Sequence, residues 1–566
     1  MKFKNQLWAL WIIIFFAVSV KAQRQSDLEL LHQRCAMRGE ARISFDSSLV
    51  WKLSSEFELL DFDGFSDSRA FFYVSKWSIN QFPFHHYPFK LEVIPSMLEN
   101  PIMAATLLDF TSTWDSYPTY NQYDSLMNAF VNQYPHLCKL HNFGTLASGR
   151  KILTLQLTDT IKPSYKKAKF LYTATMHGDE TTGYIMMLRL AQYLLQNYAL
   201  NPEIHQLLQN YEIWINPLAN PDGTYYSGNH TVFGSTRYNA NSVDINRNFP
   251  DPQDGLHPDG KVWQPETQIF MNTSDTLGFT MSANLHGGAE VVNYPWDTWA
   301  KLHADDSWWI KVSKQFADTV HVHAPSTYLD MFGTGYTNGY QWYEVDGGRQ
   351  DYMNYFDHCR EFVLEISDVK TLSGSQLPNH WNYLYPSLIQ YIQQLNYAIN
   401  GRVTDSISGK GLVAMVEVLS HDLDSSQVFS NDSGYFFRPI LVGNYQIKFS
   451  TLGYYPKTLN INLPLDTSVF VDVALVKVPS GFESTTKKID FKLYPNPAEN
   501  DLFTDVEEEV EEIIIMDLQG RVCLKLEKPL QNTKSISIES LPSGMYWVEI
   551  RTVNGKGIQS FMHLSK

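Results

Sequence analysis

Three observations predict an α/β fold with a mixed sheet covered by helices on both faces, followed by two small all-β sandwich domains and preceded by a small α/β N-terminal unit. Between about 114 and 397, apolar runs of strand length alternate with long helical patterns. After Asn400 the helical patterns stop, and short β-rich runs alternate with turn residues. A polar stretch from Pro479 to Lys488 then separates a second β-rich unit. Buried strands interleaved with helices imply an open sheet covered on both sides, whereas strand–turn repeats imply sandwiches.

The elements follow in chain order. Lys2 and Lys4 precede an apolar run from Leu7 to Val20, and Val20-Lys21-Ala22 precedes Gln23. A basic start, a short apolar stretch and small residues before a cleavage point read as a secretory signal peptide over 1–22. The run is short for an anchoring helix. Residues 23–113 hold the small α/β unit and a linker. Arg42-Ile43-Ser44-Phe45 suits a strand, and Asp46 can cap a helix with Leu49, Leu53 and Phe57 on one face. Strands at Phe71–Val74 and Phe89–Ile94 complete a compact unit with no catalytic constellation of its own.

In the domain over 114–397, Asp124–Tyr134 and Thr182–Gln196 read as helices. Ile152–Leu157, Phe170–Thr175, Ile213–Ile215, Phe279–Leu285 and Phe362–Ile366 read as strands. Turn signals at Ser408–Gly411, Asn431–Gly434, Gly443-Asn444 and Leu452-Gly453 divide 398–478 into a β-sandwich. Residues 479–488 form the linker, and 489–566 the last β unit. Glu507–Glu512 carries five glutamates around Val510 and reads as a solvated loop or edge strand.

Composition narrows the function. The 566 residues are 44% hydrophobic and 14% aromatic, ample for several globular cores, and the formal net charge of −16 with no basic stripe argues against nucleic-acid binding. No segment after the first is apolar enough to span a membrane. Cys35, Cys138, Cys359 and Cys523 are scattered singly and read as buried free thiols, so any metal site must come from His and carboxylates.

His177-Gly178-Asp179-Glu180 sits where one apolar strand gives way to a helix, and function in open α/β sheets collects at such strand ends. A His and a Glu three positions apart can meet on one metal if the loop turns, and Gly178 permits the turn. By itself the motif also suits a surface loop. His286 ends a second strand and Glu365 lies inside a third, where a carboxylate is costly unless paired or functional. Two His and a Glu make a catalytic zinc set with a fourth position left open. Asp244-Ile245-Asn246-Arg247-Asn248-Phe249 adds a guanidinium suited to a carboxylate, although alone it would pass for a turn. Arg237 is a second cation with no obvious local partner.

Together these residues resemble the zinc metallocarboxypeptidases, in the regulatory branch that includes the N, E and D types. The motifs are HGDE, NPDG (Asn220–Gly223), RYNA followed by DINRNFP, NLHGG, VVNYPWD, NGYQWYEVDGGRQDY and FVLEIS. They run from Tyr134-Pro135 and Gly149-Arg150 to Glu365, and the sandwich from Gly401 resembles the transthyretin-like domain that follows in that branch. The resemblance implies one Zn2+ per chain on His177, Glu180 and His286, with Asp244 orienting the first His. It implies Glu365 as general base and acid, and Arg237 as the group that polarises the scissile carbonyl. Asn246 and Arg247 match the clamp on the substrate's terminal carboxylate, and Tyr343 the tyrosine that closes over it. Asp297 matches the acidic residue that selects Lys or Arg, and Gln350 fits the same pocket. Arg349 departs from the branch: pointing into the pocket, it would neutralise Asp297 and shift preference to neutral or acidic termini. In a strand-like segment neighbouring residues point to opposite sides, which favours Gln350 as the wall and basic specificity.

The expected activity is therefore hydrolysis of the C-terminal peptide bond of peptides and proteins, releasing Lys or Arg. The alternatives are a same-fold peptidase of other termini or of peptidoglycan peptides, or a binding homologue that does not cleave. LYPNP (Leu493–Pro497), IMDLQGR (Ile515–Arg521) and LPSGMY (Leu541–Tyr546) resemble the type IX secretion sorting domain. That implies the secretion machinery as a partner and a secreted or outer-membrane-surface location in a Gram-negative bacterium. The unit over 41–96 faintly resembles a pro-segment.

Overall fold

The computed structural model describes residues 25–50, 57, 59–66, 68–98, 100–478, 487–506, 508–517, 520–527, 535–542 and 544–563. The expected signal peptide, Leu53 and most of the 479–488 linker lie outside them.

The first unit is an antiparallel sheet of β1 (Glu40–Asp46), β2 (Asp61–Ser66), β3 (Arg69–Ser75) and β4 (Lys90–Glu92) in the order β2-β3-β1-β4. Strand β2 is absent from the expected set. Asp61-Phe62-Asp63-Gly64 has the composition of a turn, and only pairing with β3, through an irregularity between Phe62 and Gly64, makes it a strand.

The centre is an eight-stranded mixed sheet of β5 (Cys138–Thr145), β6 (Lys151–Leu157), β7 (Ala168–Ala174), β8 (Tyr211–Asn216), β9 (Met281–His286), β10 (Ala289–Tyr294), β11 (Tyr336–Asn338) and β12 (Arg360–Ser367). Its order is β11-β10-β12-β9-β7-β8-β6-β5. Strands β12, β9, β7 and β8 run parallel, and β10 and β6 turn against them. Alternate residues enter different cores. Phe170 and Tyr172 join one cluster with α2 (Thr182–Asn197) and α7 (Leu377–Ile392), whereas Leu171 and Trp214 join another with α4 (Pro265–Leu277) and α6 (Arg349–Tyr355). Strands with both faces covered explain the near-continuous apolar runs. Helix α1 (Tyr120–Gln133) begins earlier than its periodicity predicts, because Thr119 and Gln122 close a capping box. Helices α3 (Pro202–Asn210) and α5 (Asp306–His323) also belong to this domain.

Two sheets, of three and four strands, share one core over 398–475, and sheets of five and three strands share another over 487–563. Asp305, at the start of α5, holds Arg360 of β12 at 2.7 Å and Arg438 at 2.8 Å and accepts from His421 at 2.8 Å, fastening the first of these β units to the central sheet. Among the described residues no helix is long and apolar enough to cross a membrane. Cys35, Cys138 and Cys359 are buried free thiols as expected, but Cys523 is exposed, because it lies on a strand whose side chains alternate towards solvent.

Candidate active site

Strand β7 stops at Ala174 because Thr175 takes a left-handed conformation (φ 63°), uncommon for a β-branched residue. The chain then loops through His177–Glu180 into α2. Gly178 does not have the positive φ its turn role would suggest. A Cβ there would lie 2.4 Å from the carbonyl carbon of Gly223, so glycine is required by close approach of the NPDG loop. That loop is fixed in turn: Asn220 accepts from Gly223 N at 2.8 Å and donates to Met176 O at 3.2 Å, and Asp222 pairs with Arg150 at 2.8 Å.

His177, Glu180 and His286 converge, with all three ligand atoms within 4.8 Å of one another and all three residues buried. His177 Nδ1 lies 2.8 Å from Glu180 Oε1, His286 Nδ1 2.8 Å from Glu180 Oε2, and the two Nδ1 atoms 3.1 Å apart. The far nitrogens are also engaged. His177 Nε2 is 3.0 Å from Asp244 Oδ1, which makes Nε2 the protonated nitrogen and leaves a lone pair on Nδ1. His286 Nε2 lies 2.8 Å from the Asn284 amide nitrogen, and the amide Oδ1 is buried without a partner among the described residues. Exchanging the amide O and N gives Nε2–H its acceptor and frees the His286 Nδ1 lone pair as well. Two imidazole lone pairs and a carboxylate facing one point suit a divalent cation and little else.

Asp244 joins the site together. Besides His177, it accepts from Asn246 N at 2.8 Å and from Arg237 Nε at 2.9 Å. Burial would raise its carboxyl, but Arg237 and His177 hold it well below the usual carboxylate range. Arg237 thus has a partner after all, seven residues along, and its NH1 also lies 3.8 Å from Glu180. Glu365 pairs in register with His286 across β12 and β9, so both present the same face of the sheet. Burial, and then the Glu180 carboxylate, push its carboxyl up to about 8.

Asn246 and Arg247 occupy a short turn after Asp244; Asn246 Oδ1 accepts from Arg349 N at 2.9 Å, and Arg247 NH1 donates to Asn246 O at 2.8 Å. Tyr343 follows a single helical turn, Gly339–Trp342, and is half-buried. Deeper in, Asp297 Oδ1 accepts from Gln350 Nε2 at 2.9 Å and from Asn293 Nδ2 at 3.0 Å. Gln350 is pinned at its other end by Val363 N at 2.9 Å. Burial raises the Asp297 carboxyl to about 7.

The segment holding Arg349 and Gln350 is not strand-like: it opens helix α6. Arg349 nevertheless points away from Asp297. Its Nε and NH2 reach Glu361 at 3.0 and 2.6 Å, both residues are fully buried, and its guanidinium lies 5.5 Å from the Phe270 ring. Every sequence-predicted site residue thus falls in one region of the molecule. Asn284, Asn293, Glu361 and Lys370 are missing from the predicted set. NLHGG and VVNYPWD contain the first two, but their partners are visible only in space.

Residues 123–387 match the family described as zinc carboxypeptidase, and residues 492–563 match the secretion system C-terminal sorting domain. The chain is 31% identical to carboxypeptidase M of Mus musculus over 64% of its own length and 83% of that protein's. It belongs to the zinc carboxypeptidase family. Carboxypeptidase D of Mus musculus is also 31% identical over 64% of this chain, which spans 27% of that protein's length. The solved carboxypeptidase A from Helicoverpa armigera is 16% identical with a TM-score of 0.48, covering 63% of this chain and 97% of that one. The family implies zinc at the His–Glu–His group, and the sorting domain implies export from a Gram-negative cell.

The N-terminal unit lies against the carboxypeptidase site. Tyr73 OH donates to Asp179 Oδ2 at 2.6 Å, Tyr238 OH donates to Asp61 Oδ2 at 2.5 Å, and Glu40 accepts from Arg237 N at 3.0 Å. Phe62 on β2 sits 5.1 Å from the Tyr343 ring.

Proposed function

We propose that this carboxypeptidase domain hydrolyses the C-terminal peptide bond of peptides and proteins and releases Lys or Arg. The observation that carries the reaction is Glu365 beside His286 on adjacent parallel strands, facing the His177–Glu180–His286 cluster. Zinc held by those three residues supplies Lewis-acid polarisation of the scissile carbonyl and the attacking water. Glu365 accepts the proton of that water and delivers it to the leaving amine. Arg237, oriented by Asp244, stabilises the negative charge growing on the carbonyl oxygen. Asn246 and Arg247 hold the terminal carboxylate, and Tyr343 closes over it.

Basic specificity is supported by the buried Asp297 carboxyl and by one acceptor beside it that has no donor among the described residues. Asn293 Oδ1 is buried without a donor beside Asp297, and a Cβ on Gly339 would meet both of those oxygens, at 2.7 and 1.6 Å. A Lys or Arg side chain brings donors and a charge to pair with Asp297, whereas an apolar one leaves Asn293 Oδ1 without a donor, at about 1–3 kcal/mol. Arg349 does not compete, being committed to Glu361. Peptides ending in Arg, Lys, Phe or Glu, incubated with the purified chain and read by mass, test this. Removal of Phe or Glu ahead of Arg overturns the specificity, and no removal of any residue overturns the activity.

The contacts of Asp61, Phe62, Tyr73 and Glu40 support a second part of the proposal: the N-terminal unit acts as a pro-segment that restricts entry until it is displaced. A Phe62→Ala chain should then show a lower KM than the intact one; an unchanged KM counts against it.

A further inference from the structure

Lys370 lies three residues beyond β12, and its side chain turns back into the site. Its backbone is tied there, since its carbonyl accepts from Thr181 N at 3.0 Å, next to Glu180 in sequence. The side chain crosses Gly288, which has φ 116°; a Cβ on that glycine would lie 2.7 Å from Nζ and 2.8 Å from Cε. The second glycine of NLHGG thus makes room for this lysine. The ammonium is buried; it donates to Glu180 Oε1 at 2.7 Å and Gly287 O at 2.8 Å, and Asp63 Oδ1 stands 3.2 Å away as an ion-pair partner outside hydrogen-bond geometry. Glu180 Oε2 meanwhile accepts from Gly287 N at 3.1 Å. The carboxylate is gripped from behind at both oxygens while both also face the histidine nitrogens.

We propose that Lys370 is a positioning residue for the metal ligand Glu180, and that Asp63 of the N-terminal unit holds the lysine in place. This rests on the zinc reading above. A carboxylate free to rotate presents its oxygens to the metal only part of the time, and partners that orient a ligand typically change metal affinity about 10–100-fold when removed. The competing role is purely structural: Lys370 would neutralise Asp63 and Glu180 and dock the N-terminal unit without affecting the metal.

The test uses the full chain. Zinc affinity is measured by competition with a chromophoric chelator, and the visible spectrum of the cobalt-loaded protein reports the ligand geometry. Lys370→Met should weaken zinc binding about 10–100-fold and shift the cobalt bands. Asp63→Asn should weaken it in the same direction by less, because the ammonium keeps both hydrogen-bond acceptors and loses only the ion pair. Lys370→Arg, which preserves the charge, should restore part of the loss. Native near-UV circular dichroism with wild-type zinc affinity and cobalt spectrum in Lys370→Met overturns the proposal. If that variant does not fold, the same wild-type behaviour in Lys370→Gln and Asp63→Asn overturns it. A wild-type chain that takes up no zinc removes the metal reading and this proposal together, so the two failures are told apart by that control.

Discussion

Replacing Arg349 by Met separates a specificity role from a packing role. In the structure the guanidinium makes a two-point bridge to Glu361, with Nε to Oε1 at 3.0 Å and NH2 to Oε2 at 2.6 Å. Both residues are fully buried, and after the substitution Glu361 keeps, among the described residues, only Ser282 Oγ, at 2.6 Å, as a side-chain donor. A single hydroxyl cannot offset a buried carboxylate, and removing one partner of a buried pair typically costs about 3–5 kcal/mol. Met fills much of the aliphatic volume beside Phe270, so the loss should come from the orphaned charge and not from a cavity. The assay has two arms. Urea unfolding should show a lower midpoint at unchanged slope for Arg349→Met. The double variant Arg349→Met, Glu361→Gln should recover part of the loss, because the charge is gone. The ratio of kcat/KM for peptides ending in Arg and in Phe should stay at its wild-type value in both. Wild-type stability combined with a swing in that ratio would refute the assignment and return Arg349 to the pocket.

Three further outcomes are expected. Glu365→Gln should keep zinc stoichiometry and fold but lose about 10²–10⁴-fold in kcat, since an amide cannot take the water's proton; near-wild-type turnover assigns the base to another group. Asp297, raised by burial to about 7, is largely protonated below that pH and charged above it. Preference for Arg over Phe termini should therefore rise as pH increases through about 7, and Asp297→Asn should flatten the profile. The sorting domain should be absent from protein recovered at the native cell surface or in the medium, and intact mass showing Lys566 still attached would contradict its removal.

The zinc-ligand candidates and Glu365 were legible in the sequence because each sits in a short motif at or within an apolar strand. A parallel sheet brings such strand ends to one edge whatever the loops between them do. The transition near Asn400 was legible for a similar local reason: turn residues at short spacing leave no room for a helix. Helix α6 was not, since six consecutive buried residues of its seven show no periodicity and Gly347-Gly348 before it suits a turn equally well. Strand β2 was missed because its pairing with β3, not its own composition, makes it a strand.

Partnership was decided by tertiary structure alone. Whether Arg349 faced Asp297 or Glu361 depended on how α6 packs on β12, and no local pattern encodes that angle. Arg237 found Asp244 only because the loop between them folds back. Lys370 meets Glu180 across 190 positions, and Asp63 reaches the same ammonium from a separate sheet. Residue type and local spacing determine which chemical groups are present at a strand end. A buried charge, however, is stabilised by whatever opposite charge lies within a few ångströms, and only the folded chain sets those distances.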